Sequence, residues 1–319
     1  MPQDGTMQGG QGGRHAGPLA DPGWLAGGAA GLAAAVLTLW AFRGYPLGPF
    51  AFWLAPLPLF MAGIGFGAGA AVVAMGVVAV AIYLVGSGIG LWIVVLGFAA
   101  PAAILAAAAQ REGGLGLGLA LLGILPAAGI LGAALWLSDT PGGLEGTLRA
   151  MALSGLRRFD LGDHAGLMSE VARVKAAAIG FWLALAWLGN AWLAGKLLAR
   201  TGLGTAPAWS TARLPGWYVA LPAAACLVWL LAEEGADAIE LSVALVLLVP
   251  LMLHGLAALH LRSRGRGGRP ILLGAVYVAL LVLFLPASLA MAGYGAFDLI
   301  SRPSSRNLGG PGDLPPPRS

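Results

Sequence analysis

GYPLGPFAFWLAPLPLFMAGIGFGAGAAVVAMGVVAVAIYLVGSGIGLWIVVLGFAAPAAILAAAAQ, residues 44–110, holds no Asp, Glu, Lys or Arg. An Asp, Lys or Arg at the centre of a membrane helix costs about 2.5–3.5 kcal/mol, whereas a soluble surface depends on such groups. One membrane span needs about 20 apolar residues, so this stretch reads as several spans in series. The pattern recurs outward along the chain, at 113–138, 176–195, 214–232, 241–261 and 270–297.

Composition agrees. The 319 residues are 58% hydrophobic and 10% charged, where a soluble domain carries about 25% charged residues. Mean hydropathy is +0.83. The sequence pI of 9.6 does not indicate nucleic acid, because basic and aromatic residues are nowhere interleaved in a groove-sized patch. Arg predominates over Lys (only Lys175 and Lys196), and Ala and Gly are abundant. That bias points to a high-GC bacterial genome and so to a bacterial cytoplasmic (inner) membrane. Cys226 is the one cysteine, which rules out an intramolecular disulfide and reads as a small packing residue.

The expected fold is an all-α polytopic bundle of eight or nine transmembrane helices. Residues 1–22, rich in Gly, Gln and Pro, are expected to be a disordered tail. The membrane domain is expected over 23–297, and a second disordered tail over 298–319. The first span, 24–42, carries Trp24 and Trp40 as interface anchors and lacks the flanks of a cleaved signal. Residues 45–110 accommodate spans near 46–64, 67–85 and 88–109. The first of these is interrupted by Pro56 and Pro58, which leaves the total at nine, or eight if it does not cross fully. Later spans are expected near 115–137, 175–199, 216–233, 238–261 and 270–296. The connection 138–174 reads as two interfacial amphipathic helices, with Leu144, Leu148 and Met151 on one stripe and Leu167, Val171 and Val174 on another. FDLGDH, with Asp163 as N-cap, separates them.

The 262–269 loop, RSRGRGGR, has four arginines and no acid, and 196–213 carries Lys196, Arg200 and Arg213. The turn between them, EEGAD at 233–237, is acidic. The positive-inside rule places both basic loops in the cytoplasm and the acidic turn outside. Continuing the count puts the residues after 297 outside, unless Pro286 breaks the last span and returns them.

Polar groups within the spans are few, and an intramembrane polar group is a candidate site. Asn190, in WLGNAWLAGK, needs partners for its amide and reads either as interhelical hydrogen-bond glue or as a ligand contact. His254 follows Pro250 by one turn in VPLMLHGLAALH, where proline frees a carbonyl. His260 lies about 120° around the helix from His254, so the two cannot chelate one metal. No metal or cofactor is expected. Glu233, Glu234 and Asp237 read as a solvated acidic turn. Close glycines (Gly63, Gly65, Gly67 and Gly69; Gly86 and Gly90; Gly114 and Gly118) read as close-packing surfaces. No Ser/His/Asp set, nucleotide motif or in-membrane carboxylate pair emerges, which argues against an enzyme.

The order GNAWLAGKLLAR, ARLPGWYVALPAAACLVWLL, IELSVALVLLVPLMLHGLAALHLRSR, then a basic loop, an apolar span and GAFDLISR, resembles the YybS-like membrane proteins of bacteria, the domain-of-unknown-function family numbered 2232. APLPLFMAGIGFGAGAA is similar to that family's second span, and the resemblance covers about 24–302. It implies a distant relation to the S components of energy-coupling-factor vitamin transporters and to the rod-shape factor MreD, with no catalytic residues to carry over. Asn190, Pro215, Trp217, Pro250, His254 and Gly255 match the family's polar and punctuating positions; His254 stands where relatives often have Gln. The resulting expectation is an S-component-like binder or transporter of a small solute or lipid, with Asn190 and His254 as ligand contacts. The alternative is a scaffold for envelope or division machinery, with membrane-protein partners. The lipid bilayer is a partner on either reading, and nucleic acid is not.

Overall fold

Asp21 accepts a hydrogen bond from Gly23 N at 2.8 Å and, with Pro22 behind it, starts the first helix, α1 (Pro22–Phe42). The computed structural model describes residues 21–111, 113–158, 165–203, 212–233 and 237–301. Helices follow in chain order: α2 (Gly48–Leu54), α3 (Pro56–Phe66), α4 (Ala68–Val85), α5 (Gly88–Val94), a π-helical turn (Val95–Ala99), α6 (Ala100–Ala109), α7 (Gly114–Trp136), α8 (Gly143–Arg158), α9 (Ala165–Arg200), a 3-10 turn (Gly216–Val219), α10 (Ala220–Leu231), α11 (Ala238–Arg262), α12 (Arg269–Val282) and α13 (Phe284–Ser301). Among the described residues there is no strand. Eight helical stretches among the described residues are long and apolar enough to cross a membrane, with Gly216–Leu231 and Arg269–Val282 as shorter apolar helices. The chain is an all-α polytopic bundle. Its outer faces carry large apolar side chains such as Leu84, Ile89, Leu135 and Leu281 in the open, which suits hydrocarbon rather than water.

Proline sets several of the breaks. Pro56 and Pro58 lack the N–H groups that a continuous helix needs, and the α-helical hydrogen bonding is interrupted at Ala55 between α2 and α3, where the backbone angles stay helical. Gly67, at φ 99°, joins α3 to α4 in a conformation open to glycine. Pro101 has no N–H to give Gly97 O. The preceding turn is π-helical, and the indole Nε1 of Trp187 donates to that carbonyl at 2.8 Å instead. Pro250 sits inside α11 beside Tyr218, whose hydroxyl donates to Leu247 O at 2.9 Å. Gly123 of α7 makes room for both.

α11 is the most enclosed span and packs against α7, α9, α10 and α13, while α1 lies against α3 and α4. Helix α1 approaches α4 closely through Gly27 and Gly31, where an added Cβ would stand 2.6 Å from Ala70 O and Ala74 O. At the crossing of α11 and α13, a Cβ on Gly255 or Gly295 would overlap the partner's backbone. Of the glycines expected to pack closely, Gly63 does so against Ala71 and Ala106, whereas Gly69 and Gly118 face open space.

Three expectations are corrected. The run 270–296 is not one helix: Pro286, in the first turn of α13, cannot supply the N–H a continuous helix would need, and the chain breaks at Leu283. The membrane domain does not end at 297, because α13 continues to Ser301 with Asp298 buried in the bundle. Residues 165–174 are not a separate interfacial helix but the start of α9, whose 36 residues reach about 54 Å, well beyond a bilayer core. Residues 143–158 do form a helix, α8, which buries Leu144 and Leu148 against Ala127, Ile130 and Ala177 and leaves Met151 exposed. The FDLGDH break, Glu234, residues 1–20 and residues 302–319 lie outside the described residues.

Candidate functional site

Two polar clusters bracket α11. At its start, Asp237 is 4% exposed. Arg173 of α9 donates to it through Nε at 3.0 Å and Nη2 at 2.5 Å, and Trp229 of α10 donates through Nε1 at 2.7 Å. Three helices are thereby tied at one end of the bundle. The Arg173 guanidinium bonded to Asp237 holds its carboxyl below the usual carboxylate range, and the Trp229 N–H adds to this against the cost of burial. Asp237 is therefore not part of a solvated turn, although Glu233 beside it is exposed.

Toward the other end, Asp298 of α13 is 7% exposed and takes the Arg262 guanidinium on Oδ1. Arg262 Nη1 also donates to the Tyr294 hydroxyl at 2.8 Å. His254, 4% exposed, places Nε2 3.5 Å from Asp298 Oδ2. Arg262 had read as a loop residue setting topology and Asp298 as a tail residue. The available signal was Asp298's position inside the apolar run GAFDLI, one helical turn after Gly295.

Asn190 does not join this cluster. Its Nδ2 donates to Trp53 O and to Ala186 O, each at 2.8 Å, while Oδ1 is buried without a partner among the described residues. The side chain thus ties α9 to the end of α2. It also borders a cleft with Trp53 and Trp182. The two candidate residues serve different helix pairs, α9 with α2 for Asn190 and α11 with α13 for His254.

A large cleft lies between α9, α11 and the α12–α13 elbow. It encloses about 690 Å³ and is walled by residues such as Ala178, Phe181, Leu248, Met252, Leu281 and Phe284. Ser288 is its one hydroxyl, with Oγ buried and unpaired among the described residues. Phe181 and Phe284 meet edge to face across it, with ring centroids 5.1 Å apart. Neither Asn190 nor His254 lines it.

Among the described residues no group of three or more His, Cys, Asp or Glu side chains is placed to hold a metal ion. Comparison with protein-family models, with curated proteins and with solved structures yields no match.

Proposed function

We propose that this chain binds a hydrophobic or amphipathic small molecule within the membrane, in the cleft between α9, α11 and the α12–α13 elbow. The observation that carries the reading is the cleft itself: about 690 Å³ walled by aliphatic and aromatic side chains, with Ser288 as the single hydroxyl. That volume lies in the range of small-molecule sites. A water-soluble vitamin placed there would leave its polar groups unpaired, at a cost of about 1–3 kcal/mol each. A lipid or isoprenoid chain carries no such cost. The reading keeps the binder or transporter expectation, narrows its ligand to lipid-like chemistry, and assigns no catalysis. It fits the resemblance to YybS-like proteins and a bacterial inner-membrane location.

The test is native mass spectrometry of the intact protein released from mild detergent. Wild type is expected to retain one stoichiometric lipid-like molecule. Ala178→Trp, which places an indole in the cleft, is expected to lose it while melting at the same temperature. Equal retention by the variant, or no stoichiometric species on wild type, defeats the reading. Retained proteins in place of a small molecule would favour the scaffold alternative, for which the exposed Arg264 and Arg266 supply a surface.

A further inference from the structure

His254 is a dry imidazole with little to hold it. Nδ1 has no hydrogen-bond partner among the described residues, and Nε2 stands at 3.5 Å from Asp298 Oδ2, beyond a well-formed hydrogen bond. The carboxylate it faces is already engaged by Arg262 on its other oxygen. An imidazole, a carboxylate and a guanidinium thus share one seam between α11 and α13, and imidazole is the side chain whose ordinary titration lies closest to neutral pH.

The surroundings leave these groups as the responsive ones. α13 contributes Tyr294, bonded to Arg262. On α11 itself, His260 meets Leu256 O at 2.9 Å and stands 3.3 Å from the Tyr277 hydroxyl of α12. Arg213, ahead of the 3-10 turn, is a further cation whose field reaches His254. The Tyr218 hydroxyl is bonded to Leu247 O. α7 has no ionisable side chain, and Cys226 is the only titratable group of α10. On α9, Arg173 is held at Asp237 and Lys196 lies 4.1 Å over the Trp192 ring; Arg200 closes that helix.

We propose that His254, Asp298 and Arg262 form a proton-binding site in which the carboxylate changes partner. With neutral imidazole, Asp298 is held by Arg262. When His254 takes a proton from water at this end of the bundle, its Nε2–H donates to Asp298 Oδ2 across the 3.5 Å gap. Two cations on one buried carboxylate leave an excess positive charge, so one of them withdraws. Arg262, 30% exposed at the end of its helix, can swing out into water, whereas the His254 side chain, 5% exposed, stays in the seam. The guanidinium keeps its proton throughout, and no bond other than hydrogen bonds is made or broken. Proton binding thereby frees Arg262 and Tyr294 and loosens the 263–268 loop. The α13 helix that carries Asp298 also walls the large cleft, but the site does not depend on what occupies that cleft.

Hydrogen–deuterium exchange on the full chain in nanodiscs tests this, at about pH 5.5 and about pH 7.5, which bracket histidine titration, after correction for the intrinsic exchange rate. In wild type, the 263–268 loop and the last turn of α13 are expected to exchange several-fold faster at the lower pH. His254→Gln removes that step and His260→Gln keeps it. Asp298→Asn gives fast exchange at both values, since Arg262 has lost its anchor. The absence of a step in wild type overturns the proposal without reference to any variant, and a step that survives His254→Gln does so too.

Discussion

Asp237 owes its burial to two donors from two other helices. Its carboxylate is accepted into the bundle because Arg173 and Trp229 replace the water it loses. The sign of the resulting pH dependence follows from the depressed carboxyl. A group whose folded-state value lies below its unfolded value, about 3.9 for Asp, stabilises the fold above that value and ceases to do so as pH falls through the folded one. Its stabilisation is therefore expected to be fully present and independent of pH between about pH 5 and 7 in thermal unfolding in detergent, with an acid limb beginning near the unfolded value. Asp237→Asn should lose its share of that limb and melt lower than wild type at neutral pH. A variant whose acid limb is unchanged would show that the Arg173 pair does not hold the carboxylate ionised. The acidic turn was legible as a charge pattern, but its partner was not, because Arg173 lies 64 residues away on a helix whose register only packing supplies.

Among the elements, α13 departs most from expectation. Its length, its break from α12 and its docking onto α11 depend on Pro286, on Gly255 and Gly295, and on Asp298. Pro286 was visible as a potential break. The glycine pair was not, since Gly255 and Gly295 come from different helices and neither forms a small-xxx-small pattern with the other in sequence. Local spacing instead drew attention to Gly69 and Gly118, which face open space. Hydropathy carried most of the fold, because long uncharged runs admit few alternatives to helices in lipid. The candidate site was only half legible: His254 stood out as a polar residue in a span, while its partners come from outside that span's own interior. Packing at the crossing gives a sharp expectation. Gly255→Ala forces a methyl group against the Met291 carbonyl and should cost about 1–3 kcal/mol through overpacking. Gly189→Ala, where nothing lies within 4 Å of the new methyl, should be neutral or gain up to about 1 kcal/mol from helix propensity. Reversible unfolding of both variants in mixed micelles checks the contrast, and equal effects would mean that α13 does not seat closely on α11.

For the whole molecule, the two polar clusters fix how the C-terminal helices are threaded. Arg173 and Asp237 bring the start of the α9 span and the start of α11 to one end, so the chain must return between Arg200 and Asp237. α10 with its 3-10 turn makes that return over about 26 Å, close to a full crossing. Asp298 beside Arg262 then brings the end of α13 back to the end where α11 finishes. The α12–α13 pair is accordingly an out-and-back hairpin, its elbow meeting α9 at Phe181, about 12 Å along the axis from Arg173. Ser301 therefore lies at the same end of the bundle as the basic 262–269 loop, the arrangement in which Pro286 breaks the last span and returns the chain. With Cys226→Ala as background, single cysteines at Gly267, Ser301 and Asp139, all exposed positions, report the arrangement to a membrane-impermeant maleimide. Gly267→Cys and Ser301→Cys should label together in inside-out vesicles, where the positive-inside rule places them, and Asp139→Cys only in intact spheroplasts. If Ser301→Cys instead labels with Asp139→Cys, then 269–301 crosses once, and Asp298 cannot meet Arg262.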